Sequence, residues 1–220
     1  MKKETVLRYI ASGLFCITAV LGLFSVITGK IDFSYIGLGY YGNLTLPLFA
    51  VAIPLLMALA LLLNLPILGV CGGVLGAVFY LVRLVSSVPA FLNNIQMTYM
   101  SYGVASIESV LCLLSFVFIT MMFIFMLGGE TRRPAHAFAV MSSVLRFLAL
   151  AVAFAFACVM SVTAFKSISR FSFYYPQMKL TAMKCYRVTI GGSFFLIQDF
   201  FSLLSLIMTA ATVRAGLRRH

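Results

Sequence analysis

The stretch TLPLFAVAIPLLMALALLLNLPILGVCGGVLGAVFYLVRLV, residues 45–85, decides the fold class. It carries one charged residue, Arg83. Two apolar runs, 45–63 and 66–85, are parted only by Asn64 and Leu65, and Pro66 opens the second run. As a helix rising about 1.5 Å per residue, each run crosses roughly 30 Å of hydrocarbon. Proline suits a first helical turn, where its missing N–H has no intrahelical acceptor. The pattern reads as a tight helical hairpin inside a bilayer. A re-entrant segment replacing one of the two full spans is the alternative.

The rest of the chain extends this reading. The sequence is 63% hydrophobic and 10% charged, with a mean hydropathy of +1.10. A soluble domain of 220 residues has too much surface to hide that much apolar matter. Further apolar runs cover residues 8–29, 104–128, 137–165 and 193–213. The expected fold is therefore all-α: one polytopic domain of six transmembrane helices. Gly128 to Pro134 breaks between the fourth and fifth spans, and Arg214, Arg218 and Arg219 end the sixth. The chain starts Met1-Lys2-Lys3, and the apolar run Tyr9 to Thr28 ends in no small-x-small cleavage pattern, so an uncleaved first span is expected. Pro54 removes a backbone hydrogen bond within the second span and should kink it. No internal repeat or interdomain linker is visible.

Sixteen Lys and Arg against five Asp and Glu give a net charge of +11. The basic residues flank the spans, so anionic lipid head groups are their expected partners and nucleic acid is not. Cys16, Cys71, Cys112 and Cys158 lie in apolar runs and read as small buried hydrophobes, while Cys185 lies in a polar stretch. No cysteine pair has metal-ligand spacing, and only His136 and His220 are available to complete a site. No metal or cofactor is expected.

Orientation rests on two signals. With a cytoplasmic N-terminus, the inner side holds Lys2, Lys3, Arg8, Arg132, Arg133, Arg214, Arg218 and Arg219. The outer side then holds Lys30, Arg83, Lys166, Arg170, Lys179, Lys184 and Arg187, which is nearly a tie. Tyrosine separates the faces better. Tyr35, Tyr40, Tyr41, Tyr99, Tyr102, Tyr174, Tyr175 and Tyr186 all fall in the three connections assigned to the outer face. Both termini are expected to be cytoplasmic. The Met-Lys-Lys start reads as bacterial, which makes the Asn43-Leu44-Thr45 glycosylation sequon incidental and the plasma membrane the expected location.

Polar exceptions inside the oil are the candidate functional residues. Charges within a span cost about 2.5–3.5 kcal/mol each at the helix centre, so they face protein or water. Arg83, Glu108 and Asp199 fall in the outer leaflet, and Arg146 lies about 13 Å into the fifth span. In the sixth span Gln198, Ser202, Ser205 and Thr209 recur on one helical face that Asp199 borders. Glu108, Cys112 and Ser115 make a shorter stripe on the fourth span, and the fifth offers Ser142, Arg146 and Ala149. These faces are expected to meet, either as interhelical glue or as a polar pathway. In the third span Gly69, Gly72, Gly73 and Gly76 form two interleaved GxxxG motifs, a close-packing face within the bundle or a homodimer seam. No HExxH, GxSxG or P-loop occurs, so an enzyme is not expected.

Six spans with a ligand-facing outer region look like the substrate-binding subunits of energy-coupling-factor vitamin transporters. The loop 31–43, with Tyr35, Tyr40 and Tyr41, occupies the place of their first-loop lid. Their alanine-spaced coupling face on the first helix is missing, because Ala11 and Ala19 are too far apart, and no functional residue is carried over.

The expected function is membrane transport, by a transporter or a transporter subunit that takes a small polar solute from outside. Arg83, Glu108, Gln198, Asp199, Ser202 and Ser205 would line its path and Arg146 would be the deeper counter-ion, with Tyr35, Tyr40 and Tyr41 as a lid. The alternative is a structural or regulatory subunit that binds a partner membrane protein through the glycine-rich third span and the polar sixth.

Overall fold

The structure, a computed structural model, describes residues 3–27, 42–93, 99–128, 132–171 and 176–217. Among these residues it is all-helical: α1 (Lys3–Ile27), α2 (Gly42–Leu63), α3 (Pro66–Asn93), α4 (Tyr99–Leu127), α5 (Arg132–Phe171) and α6 (Pro176–Leu217). The α2–α3 junction forms as its residues dictate. Asn64 takes the left-handed conformation, φ 55°, which asparagine adopts more readily than bulky residues. The Leu65 N–H then reaches back to Ala60 O at 3.0 Å and closes α2, while Leu65 O accepts the Leu68 N–H at 3.1 Å and starts α3. Pro66 sits first in α3, where no donor is required.

Among the described residues, five helices contain stretches long and apolar enough to cross a membrane: Lys3–Phe24, Pro66–Val85, Ser106–Leu127, Arg133–Ala155 and Leu196–Leu217. α2 contributes a shorter apolar stretch, Phe49–Leu63, and stays helical across Pro54.

Consecutive helices pack side by side, and α1 closes against α6, so the six form a ring. Cross-helix contacts give the directions. Ser12 meets Ala58 and Gly22 meets Ala50, so α1 and α2 are antiparallel. Gly69 meets Phe123 and Arg83 meets Glu108, which sets α3 against α4. Likewise Ser115 meets Ser142 and Cys112 meets Arg146. The start of α1 and the end of α6 therefore share one end of the ring with the α2–α3 turn. We call this the terminal end, and the opposite one the far end.

The outer surface is apolar, unlike that of a water-soluble protein. Large apolar side chains face outward, with Val20 63% and Phe154 60% exposed. Ser12, Ser109, Ser142, Ser205, Thr209 and Arg146 are buried inside. A bilayer reverses the usual sorting because it solvates the oil, leaving helices to be held by packing and internal hydrogen bonds. Along the ring axis the interior has two layers. Toward the terminal end an apolar plug is built from Phe15, Met57, Ile119, Met122, Phe123 and Leu206. Toward the far end lies a second, smaller cluster around Tyr80, Cys112 and Ala149.

Two expected connections are corrected. Residues 166–192 are not one long loop: α5 continues to Phe171 and α6 begins at Pro176. Residues 86–103 are likewise largely helix, since α3 ends at Asn93 and α4 starts at Tyr99. The fall in hydropathy there marks departure from the hydrocarbon, not the end of the helix, and Lys, Met, Ala and Arg in these segments all favour helix. The spans expected at 104–128, 137–165 and 193–213 are thus the apolar cores of longer helices. Tyr99, Tyr102 and Tyr186 belong to helices, while Tyr35, Tyr40, Tyr41, Tyr174 and Tyr175 lie outside the described residues.

Candidate functional site

The charged residues of four helices gather in the far-end layer. Arg146, on α5, is its centre and is 5% exposed. One Nη donates to Asp199 Oδ1 of α6 at 2.5 Å. The other donates to Tyr80 Oη of α3 at 3.2 Å and to Cys112 Sγ of α4 at 2.8 Å. A single guanidinium thus ties α5 to three other helices, which only a planar fork of several donors can do. The third nitrogen, Arg146 Nε, is buried and its N–H has no acceptor among the described residues.

A second pair lies beside the first. Arg83 Nη1 of α3 is 3.2 Å from Glu108 Oε1 of α4. Tyr80 links the two pairs, with its ring centre 5.5 Å from the Arg146 guanidinium and 5.9 Å from that of Arg83. Phe116 stacks on Tyr80 at 5.6 Å and also lies 5.8 Å from Arg146. Two cations facing two carboxylates leave the cluster without net charge, the arrangement that a low-dielectric site tolerates. Side-chain exposure falls from 26% at Arg83 through 19% at Asp199 to 6% at Arg146. Arg146 is the innermost of the three.

The polar face of α6 behaves differently from a row of interhelical bonds. Ser205 Oγ donates to Phe201 O at 2.7 Å, Thr209 Oγ1 to Ser205 O at 2.8 Å and Thr212 Oγ1 to Met208 O at 2.8 Å. Each hydroxyl spends its hydrogen on its own helix, so the oxygens keep only acceptor capacity. Gln198 Nε2 makes a long contact of 3.5 Å with Ala50 O of α2. Ser202 lies half-buried between Asp199 and Ser205. Among the described residues, hydroxyls that do bond across helices include Ser12, to Ala58 O, and Ser115, to Ser142.

The glycine face of α3 is filled from within the chain. Gly69 lies against the Phe123 ring, Gly73 against Thr120 and Gly76 against the Phe116 ring, all on α4. Gly72 faces the other way, toward Ile53, Leu56 and Met57 of α2. A close approach absent from the sequence reading occurs at Gly22, where an added Cβ would stand 2.8 Å from Ala50 O, the same carbonyl that Gln198 contacts.

No family model, curated protein or solved structure matches the chain. The site must be read from its own residues.

Arg83, Glu108, Arg146 and Asp199 are brought together; Gln198 and Ser202 continue from them along α6, and Ser205 lies deeper beside the plug. Tyr35, Tyr40 and Tyr41 lie outside the described residues. Tyr80 is the central residue that the sequence reading passed over. Its signal was available: a tyrosine deep in an apolar run needs a partner for its hydroxyl, and it stands three residues before Arg83, on the same helical face.

Proposed function

We propose that this chain is a plasma-membrane transporter or transporter subunit whose six helices all span, with both termini cytoplasmic. The far end faces outward, and a small polar solute enters there. The observation that carries the reading is Arg146: a cation tied to α3, α4 and α6 that keeps one buried N–H with no acceptor among the described residues. Structural glue alone leaves no reason to hold a donor of that strength unfilled. A solute oxygen supplies the acceptor, and Asp199, Glu108 and Arg83 balance its surroundings. The α6 stripe leads inward from this site, and the apolar plug separates it from the terminal end.

The competing reading, a subunit that docks a partner through the α3 glycines and the α6 stripe, has less support. Phe123, Thr120 and Phe116 of α4 already occupy most of that glycine face.

Cysteine substitution tests the pathway. With a membrane-impermeant thiol reagent applied from outside, cysteines at 198 and 202 label, while those at 205 and 209 stay protected beside the plug residue Leu206. Labelling at none of the four positions removes the main support for a water-accessible path.

A further inference from the structure

Pro54 leaves a gap in the backbone ladder of α2, and two other helices converge on it. In a helix the N–H of residue 54 bonds to the carbonyl of residue 50, so Pro54 leaves Ala50 O without its intrahelical donor. An unfilled carbonyl inside a bilayer is costly and calls for a donor from elsewhere. α6 supplies one: Gln198 Nε2 donates to Ala50 O at 3.5 Å. α1 makes room for it. A Cβ on Gly22 would stand 2.8 Å from Ala50 O and 3.2 Å from Gln198 Nε2, so the glycine lets the amide pass α1 and reach α2.

Three features of this junction point the same way. A helix missing a rung bends more easily there than elsewhere. The bond that replaces the rung is longer than the usual range of about 2.7–3.2 Å, so it holds weakly. And α2 lies outside the tie that Arg146 makes among α3, α4, α5 and α6. Residues 42–53, the half of α2 toward the far end, thus stand on a hinge beside a fastened frame.

That half borders the Arg146 site on two sides. The Phe49 ring lies 6.2 Å from that of Phe79, which meets Tyr80 edge-on at 5.0 Å. Gln198 directly precedes Asp199 in α6. Tyr80 and Asp199 are both partners of Arg146.

We propose that the far half of α2 is a gate on the Arg146 site: Pro54 is its hinge, and Gln198, bonded to the carbonyl that Pro54 frees, is its latch. A bend of about 20° at Pro54 carries the Gly42 end, about 18 Å away, through roughly 6 Å, the width of a small solute. What the gate admits rests on the transport reading; the hinge and the latch do not.

Amide hydrogen exchange, read by mass spectrometry on the full chain in nanodiscs without solute, tests the device. Gln198→Met keeps the side-chain length and removes the donor. It is expected to speed exchange in residues 42–53 about fivefold, the worth of one hydrogen bond, and to leave 55–63 unchanged. Pro54→Ala gives residue 54 an N–H for Ala50 O and slows exchange in 42–53. The double variant decides: with Pro54→Ala in place, the effect of Gln198→Met falls below about twofold, whereas a Gln198 that merely packs would count equally in both backgrounds. Gln198→Asn, one methylene too short to reach, carries the same test should Gln198→Met fail to fold. Equal effects in the two backgrounds overturn the proposal, and so does a rise in exchange spread evenly along α2. Labelling of a cysteine at 202 tests the solute path separately. Coupled exchange without labelling keeps the hinge and latch and removes the path; labelling without coupling keeps the path and removes the gate.

Discussion

Replacing Asp199 by asparagine removes one charge from a cluster that otherwise sums to zero, and the cost follows from the geometry. Arg146 Nη2 stands 2.5 Å from Asp199 Oδ1, and their side chains are 6% and 19% exposed. With charge centres about 4 Å apart and an effective dielectric of about 20, the lost attraction is about 4 kcal/mol. Removing one partner of a buried pair costs about 3–5 kcal/mol for the same reason, an uncompensated ion left behind. Two features pull the value toward the lower end. Water reaches part of Asp199, and Arg146 keeps Tyr80 and Cys112 as acceptors. The expected loss for Asp199→Asn is about 3 kcal/mol of unfolding free energy. Reversible unfolding in mixed detergent–SDS micelles, followed by circular dichroism, measures it. Arg146→Met costs a similar amount alone, since it leaves Asp199 unpaired. The double variant Arg146→Met with Asp199→Leu recovers most of the loss, because an apolar pair replaces an ionic one at little net cost. A single-variant loss under about 1 kcal/mol, or a double variant that simply sums its singles, refutes the view that this pair acts as a unit.

Further expectations use the same unfolding assay or thiol chemistry. Gly73→Ala drives a Cβ into Thr120, whose Oγ1 is held by its bond to Phe116 O at 2.7 Å and cannot swing away, so it costs about 1–3 kcal/mol as overpacking. Gly13→Ala meets open space and stabilises α1 by about 0.4–1 kcal/mol; the reverse order of these two results contradicts the α3–α4 seam. Asn64→Ala costs about 1 kcal/mol at φ 55°, whereas Asn64→Gly is tolerated within a few tenths. Cys112, buried, reacts with a permeant maleimide only upon unfolding, and the difference in labelling between the native chain and Cys112→Ser isolates it. A cysteine placed at Tyr174 labels from outside the cell in the orientation proposed; labelling only after lysis inverts it.

Much of the fold is legible in single residues. Asn64, Leu65 and Pro66 specify the turn between α2 and α3, because asparagine accepts positive φ and proline suits the first turn of a helix. The interior stripes were readable as well, since charges and hydroxyls in an apolar run must face away from lipid. What periodicity does not carry is partner choice. Nothing in the spacing says that Arg146 reaches Asp199 and Tyr80, whereas Arg83 takes Glu108, because those pairs are set by how far each helix slides along its neighbour. Helix ends in 160–195 were obscured for a different reason. Hydropathy reports the local solvent, and a helix leaving the membrane changes solvent without changing conformation. Serine and threonine misled in one respect: in the α6 stripe they satisfy themselves on their own backbone, so the stripe is not a set of bonds to other helices.

The lengths of α5 and α6 give the Arg146–Asp199 pair a mechanical meaning. α5 has 40 residues and α6 has 42, against 28 and 29 for α3 and α4. They therefore overrun their neighbours by roughly 15–20 Å at about 1.5 Å per residue. Both terminate at the far end, about 35 Å of helix beyond the ion pair. The pair fastens two long arms close to their root. Residues 172–175 join the two helices beyond it, so the ion pair sits at the base of one long helical hairpin. A solute oxygen that accepts from Arg146 Nε–H, as proposed, would fill that donor at the base of the hairpin.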